Sequence, residues 1–362
     1  DTGLASRVVY NRLEGTANGG STIQGCDGHG NLNAHIIAGF NDLNGFPHAD
    51  ASGFRYGLGV CPFVKVGSSV IFDPDNYTYP NFSDLSSRAY RDGARISSDS
   101  WGSSTYGGYD TDSQEYDALV RDAQPASSAV PSNGNQEMTI VFAAGNKGPN
   151  AQTVGSPGTA KNVITVGAAE NVQAFGGADG SGVSDTGANS ANDIIYFSSR
   201  GPCTDGRRKP EIVAPGTHVS GGVGQQTRTV TGTGTALSCF NGSGVSGGVG
   251  SSFFPTGQQF YSASSGTSHS TPGVAGGCAL IRQYFINQGW AVPSPAMVKA
   301  FLVIAARYLT GVSADDTLWS NNQGMGMMNL GFVFDGVPRT LRDQRTNDVS
   351  RAAGQPPVPT GR

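Results

Sequence analysis

The stretch Met138-Thr139-Ile140-Val141-Phe142-Ala143-Ala144-Gly145-Asn146 sets the reading of the rest of the chain. It is a short uncharged apolar run that ends in a Gly-Asn turn. Such a run suits a strand covered on both faces, as in a parallel sheet. Working outward, Val163-Ile164-Thr165-Val166-Gly167 reads as another strand, and Ala94-Arg95-Ile96-Ser97 starts one upstream. Gly59 to Val66 reads as a further strand. Helical patterns alternate with these runs. Leu32, Ile36, Ile37 and Phe40 share one helical face, and Asp84 to Asp92 and Asp112 to Asp122 are polar and helical. A polar insertion runs from Gln124 to Gln136. The alternation predicts an α/β fold with a mainly parallel central sheet.

Farther along, Gly221 to Ser265 is rich in Gly, Ser and Thr without helical period, and reads as surface loops and hairpins. Helical character returns over Ser270 to Phe285 and Pro295 to Ala306. After Gly336 the chain turns polar and ends Gln355-Pro-Pro-Val-Pro-Thr-Gly-Arg362. The division expected is one large unit over 1–335 and a polar, proline-containing tail or linker over 336–362.

Composition narrows the function classes. The 362 residues include 54 glycines, about twice the usual share, and only 14 % charged residues against roughly 25 % in typical domains. The net charge is −4 and no basic stripe is visible, which argues against nucleic acid and anionic membranes as partners. No apolar run approaches the ~18 residues of a membrane span. Five cysteines (Cys26, Cys61, Cys203, Cys239, Cys278) fit neither zinc spacing nor a dense disulfide framework. Their odd count leaves at least one thiol free, for which Cys278 in its apolar helical stretch is the first candidate. Cys26 and Cys61 are a candidate bridge, which spacing alone does not settle.

Four residues carry the chemistry. Ser268 lies among small residues in Ser265-Gly-Thr-Ser-His-Ser-Thr-Pro-Gly-Val-Ala-Gly276, with Pro272 where a helix would begin. A serine at a helix N-terminus sees free N–H groups and the positive dipole end, which suits a nucleophile whose adduct becomes an oxyanion. A capping serine in a Gly-rich turn explains the same residues. His29 in Cys26-Asp-Gly-His-Gly30 is held at a helix start between glycines, where it can act as general base; His35, on the helix body beside Ile36, reads as packing. Asp1 in Asp1-Thr2-Gly3 can supply the carboxylate that fixes an imidazole tautomer. Asn146, ending its apolar strand, can aim an amide at a developing oxyanion; a turn asparagine is the bland reading. A second Asp-Thr-Gly at Asp185 raises an aspartic-protease alternative. Asp185 sits in a polar loop rather than the apolar strand a shared-proton dyad needs, which argues against that alternative.

Taken together, these segments resemble the subtilisin superfamily of serine proteases, whose order is Asp, His, Asn, Ser. Ser100-Trp101-Gly102 resembles its substrate-binding strand. Pro157 to Ala168, Phe197 to Pro202, Asp205-Gly-Arg207, Lys209-Pro210 and Ala214-Pro-Gly216 resemble further family blocks. The blocks span roughly residues 1–335, and the subgroup most resembled is the alkaline proteases that carry a β-sandwich after the catalytic domain. The resemblance implies a three-layer α/β sandwich and a secreted endopeptidase of broad specificity acting on protein or peptide substrates. It also implies an inhibitory propeptide in the precursor. Ser268 would attack the scissile carbonyl, His29 would carry the proton, and Asp1 would orient His29. Asn146 and the Ser268 N–H would hold the oxyanion. Ser100, Trp101, Gly102, Ala144, Gly145, Lys147 and Gly155 would line the substrate cleft. No cofactor is expected for the chemistry; structural Ca²⁺ is implied by the family, although no Asp-x-Asp-x-Asp loop is present. A non-catalytic scaffold of the same fold is the competing class.

Three departures from the family pattern stand out. The usual His-Gly-Thr-His-Val-Ala-Gly is stretched to His29-Gly-Asn-Leu-Asn-Ala-His35-Ile-Ile-Ala-Gly39. The strand that normally precedes the Asp is missing before Asp1, so upstream residues are expected. Lys147 stands where relatives often carry Glu, so lysine N-terminal to the scissile bond should be disfavoured. Ser156-Pro157 matches a position that is often cis in the family.

Overall fold

The computed structural model describes residues 6–16, 29–72, 76–172, 187–222, 229–230, 234–235, 252–253, 260–314, 319–337, 339, 341 and 343. Asp1, Cys26, Asp185, Cys239 and residues 344–362 lie outside them, as does most of the Gly/Ser-rich stretch. The strands are β1 (Val8–Leu13), β2 (Val66–Val70), β3 (Ile96–Asp99), β4 (Thr139–Ala143), β5 (Ile164–Ala169), β6 (Ile212–Pro215) and β7 (Val219–Gly222). Three short pieces and one longer strand follow: β8 (Thr229–Val230), β9 (Gly234–Thr235), β10 (Ser252–Phe253) and β11 (Tyr261–Ser264). The helices are α1 (His29–Ala38), α2 (Phe82–Arg91), α3 (Thr111–Arg121), α4 (Thr267–Asn287), α5 (Pro295–Ile304) and the single turn α6 (Leu330–Val333).

The central sheet runs β3-β4-β5-β6, with every neighbouring pair parallel. Period-two alternation divides β4 between two cores. Val141 joins Ile164, Val166 and Ile212 against Val274, Ile281 and Phe285 of α4 and Phe301 of α5. Ile140 and Phe142 face the other way, onto Phe82 of α2 and Tyr116, Leu119 and Val120 of α3. Helices therefore cover both faces, giving the three-layer α/β sandwich that parallel strands require. A separate parallel pair, β1-β2, is tied to α2 by the Arg88–Glu14 ion pair at 2.5 Å.

Two expectations are corrected. The segment 59–65 is not strand; β2 begins at Val66. Instead the amides of Gly59, Val60 and Cys61 donate to the carbonyls of Gly39, Ile36 and Ile37, satisfying the end of α1, and Pro62 has no N–H for a ladder. In addition, the last large helix starts at Thr267 rather than near Pro272, which lies inside it. Gly266 occupies the N-cap, so Ser268 falls in the first turn.

The described ends of the Gly/Ser-rich stretch form a packed pair. β7 and β11 run antiparallel, with Ser262, Ala263 and Ser264 buried. Past residue 335, Leu341 packs against the α4–α5 core and Asp343 accepts from both N–H and Oγ of Ser294, the N-cap of α5. Cys61, Cys203 and Cys278 are free thiols, and Cys26, the other half of the candidate bridge to Cys61, lies outside the described residues. Burial pushes the Cys278 thiol up, away from its reactive thiolate form.

Candidate active site

The site gathers at the C-terminal ends of β3 and β4, where open α/β sheets bind ligands. Asp99 pairs with Phe142 across the two strands, so the chain leaving each, Ser100 and Ala144 to Asn146, emerges side by side. The first turn of α4 points its N-terminus into this crevice.

Asn146 is oriented by the helix it faces. Its Oδ1 accepts from the N–H and the Oγ1 of Thr267, both at 2.9 Å. An amide oxygen only accepts, so the NH₂ is the end left to donate elsewhere. A Cβ built on Gly266 would lie 3.4 Å from Asn146 Nδ2 and 3.7 Å from the Ser268 backbone N. The two donors thus flank one small volume that the absence of a side chain at Gly266 keeps open. Gly145, at φ +104°, makes the turn, and its N–H donates to Thr267 Oγ1 at 3.2 Å. Ser199 fastens the other side, donating from its N–H to the Gly145 carbonyl and accepting from the Lys147 N–H.

Ser100 closes a gap in α4. Proline at 272 cannot donate to the carbonyl four residues back, which is that of Ser268. Ser100 Oγ donates to that carbonyl at 2.7 Å. The hydroxyl from the strand edge replaces the missing helical bond directly behind the candidate nucleophile.

His29 is the first residue of α1, and its ring lies 5.4 Å from that of His269, the residue after Ser268. Asn33, one turn on from His29, sits between the two imidazoles. Its Oδ1 is 2.8 Å from His269 Nδ1, and its Nδ2 is 3.4 Å from His29 Nδ1. Burial, reinforced by the charge of a protonated His29, holds the His269 pKa down at about 3, so this imidazole is neutral near pH 7. The Asn33–His269 pair was not anticipated. Its signal was present as an asparagine on the otherwise apolar Leu32/Ile36 face of α1, which needs a buried partner. His35 packs as expected: its Nδ1 lies 2.9 Å from the Asn31 carbonyl, and a Cβ on Gly222 would be 2.6 Å from its Nε2.

The cleft walls are stitched together by backbone. Ser103 and Ser156 exchange N–H···O bonds at 2.8 and 3.0 Å, and Gly155 N–H donates to the Ala144 carbonyl. A Cβ on Gly102 would be 2.6 Å from the Ser156 oxygen, and one on Gly155 would be 2.6 Å from the Ser103 oxygen, so only glycine allows this approach. The Ser156–Pro157 bond is cis, as expected. Lys147 is exposed at the rim. Trp101 stacks on Phe82 with centroids 5.2 Å apart, and Tyr77 and the exposed Tyr79 extend the aromatic surface outward.

Residues 4–326 match the subtilase family, peptidase family S8. The chain belongs to the subtilase family. It is similar to serine protease AprX of Bacillus subtilis (strain 168), with 36 % identity over 108 residues, 30 % of this chain and 20 % of that protein. It is also similar to pyrolysin of Pyrococcus furiosus, with 34 % identity over 202 residues, 53 % of this chain and 12 % of that protein. The matched region spans a fifth or less of the length of these two relatives. Among solved structures, the prenylagaramide maturation protease PagA shares the fold at TM-score 0.52 and 18 % identity, over 91 % of this chain and 93 % of that one. Fervidolysin from Fervidobacterium pennivorans, described as a keratinolytic enzyme related to subtilisin, gives TM-score 0.52 and 21 % identity over 85 % and 36 %. Among the described residues of this subtilase, no group of three or more His, Cys, Asp or Glu side chains is placed to hold a metal ion. No described helix is long and apolar enough to cross a membrane.

Proposed function

We propose that this subtilase is a serine endopeptidase that hydrolyses peptide bonds through an acyl-enzyme. Ser268 attacks the scissile carbonyl, and His29 takes its proton and returns it to the leaving amine. Asp1, outside the described residues, orients His29. Asn146 Nδ2 and the Ser268 N–H receive the oxyanion. The observation that carries this reading is the fixed amide of Asn146. Its oxygen is held by Thr267, so the NH₂ shares with the Ser268 N–H the open volume at Gly266. Donors held in place before reaction cost no reorganisation when charge develops.

The substrate is an extended peptide added as a strand along Ser100 to Gly102. Its side chain next to the scissile bond enters between the 100–102 and 144–155 segments, past Gly155, while another lies over Trp101 and its aromatic neighbours. Lys147 at the rim disfavours lysine N-terminal to the scissile bond, by about 1 kcal/mol or less because the charge is exposed. Lys147→Glu should raise the preference for lysine there severalfold in a peptide-library profile, and an unchanged profile would reject the assignment.

The same proposal takes 1–335 as the catalytic unit and 336–362 as a tail or linker, with secretion and an inhibitory propeptide in the precursor. Calcium is given no step. The deciding experiment is fluorophosphonate labelling with mass mapping. Label should appear on Ser268, vanish in Ser268→Ala and slow by orders of magnitude in His29→Ala. A well-folded chain that never labels would favour the scaffold, and cleavage by Ser268→Ala would sink the mechanism.

A further inference from the structure

Asp99 closes β3 one residue before Ser100, and only 8 % of it is exposed. A buried carboxylate normally has a cation beside it, yet among the described residues none reaches Asp99. Its oxygens are served by two neutral donors: Ser97 Oγ at 2.7 Å and the Trp101 indole Nε1–H at 3.3 Å. The titratable group that faces it is the buried phenol of Tyr116 on α3, and beyond that phenol lie Tyr77 and the carboxyl groups of Glu115 and Asp112, none of them a cation. An asparagine could accept the indole bond on its Oδ1 and donate its NH₂ to Ser97 Oγ without burying a charge, so the ionisable form is the expensive choice at this position.

The indole that Asp99 holds is the centre of the aromatic surface beside the substrate edge. Trp101 touches Phe82, Tyr116, Phe142 and Tyr77, with centroids 5.2 to 6.1 Å away. We propose that Asp99 is a positioning residue for substrate selection: through the indole N–H it sets the Trp101 ring against which a peptide side chain lies, and its charge state decides how firmly that ring is held. The ionised carboxylate makes a charge-assisted bond, stronger than the bond to the neutral acid. Burial lifts the Asp99 pKa to about 6, so the two states exchange within the range where a protease works. Selectivity for a bulky side chain over Trp101 therefore weakens as pH falls through 6. The link to substrate rests on the peptidase reading; the link between Asp99 and Trp101 does not.

The test separates these two. In the full chain carrying Trp290→Phe and Trp319→Phe, Trp101 is the sole tryptophan, and its emission should titrate with a midpoint near pH 6. Asp99→Asn should abolish that titration. A flat profile in the parent, or an unchanged titration in Asp99→Asn, would overturn the proposal. In the native background, kcat/KM is compared for peptides with phenylalanine or alanine at the position over Trp101. The Phe/Ala ratio should fall severalfold from pH 7.5 to 5 through KM, and Asp99→Asn should lose that pH dependence. Asp99→Leu should cut the ratio about tenfold while Ser268 still labels at the parental rate. If Asp99→Leu does not fold, Asp99→Asn alone decides. If Ser268 never labels in any variant but the fluorescence titrates, the peptidase reading fails and the Asp99–Trp101 coupling stands.

Discussion

Replacing Ser100 by alanine tests how the first turn of α4 is held. In the folded chain the Ser268 carbonyl has no helical donor, because residue 272 is proline, and it accepts instead from Ser100 Oγ at 2.7 Å. A hydrogen bond of this kind contributes roughly 0.5–1.5 kcal/mol net, and a fully buried orphan carbonyl costs about 1–3 kcal/mol. Ser268 is half-buried, so water partly substitutes, and the expected loss is about 1–2 kcal/mol. The loosened turn also carries the nucleophile. We expect kcat to fall about three- to tenfold with KM little changed, since the backbone edge that docks substrate is untouched. Urea unfolding and steady-state kinetics read the two effects. The decisive arm is Pro272→Ala, which restores an N–H at the position that normally donates to the Ser268 carbonyl. In that background Ser100→Ala should cost little, giving a coupling of about 1 kcal/mol in the double-mutant cycle. Additivity within about 0.3–0.5 kcal/mol would refute the replacement of a helical bond by the strand hydroxyl.

Gly266→Ala places a methyl 3.4 Å from Asn146 Nδ2 and 3.7 Å from the Ser268 N, in the volume both donors share. We expect kcat to drop about 10²–10³-fold, the cost of losing an oxyanion donor in subtilisin, a member of the same family, and near-normal kcat would count against the placement. Lys209→Met leaves Glu211 buried with Lys299 as its one remaining cation among the described residues, where before it had Lys209 at 2.8 Å and Lys299 at 2.7 Å. Breaking such a cluster should destabilise the fold by about 3–5 kcal/mol in urea unfolding, whereas a loss under 1 kcal/mol would show that the charges are dispensable. His269 gives a pH signature. Its unfolded form takes a proton below about pH 6.5, but the folded form refuses one until about 3, so its contribution is complete above 6.5 and is lost as pH falls. From pH 6.5 to 4.5 this group alone should remove about 2 kcal/mol. The paired variant Asn33→Val with His269→Met, which removes both ends of the Asn33–His269 bond and also the 3.4 Å contact of Asn33 with His29 Nδ1, should lack that component; parallel stability–pH curves for the two proteins would exclude it.

What the chain alone determined was local. Ile140 to Ala144 is apolar without interruption, so a covered strand was the low-energy choice wherever the run was placed, and β4 is that strand. The Gly-Asn after it, the small residues around Ser268 and the His between glycines were legible because each needs only its neighbours to define a turn or a helix start. The order of the motifs then led to the family and its sheet. The Gly59 to Val66 reading failed because apolar character cannot tell a strand from a segment whose amides are claimed by the end of α1. The start of α4 was misplaced because a proline inside a helix is tolerated only when a distant group, here the Ser100 hydroxyl, satisfies the carbonyl it abandons. Likewise Asn33 meeting His269, and Asp99 buried beside an indole with no cation among the described residues, depend on which polar groups become neighbours once water is excluded. Desolvation and long-range pairing are properties of the packed molecule, so only the tertiary structure decided them.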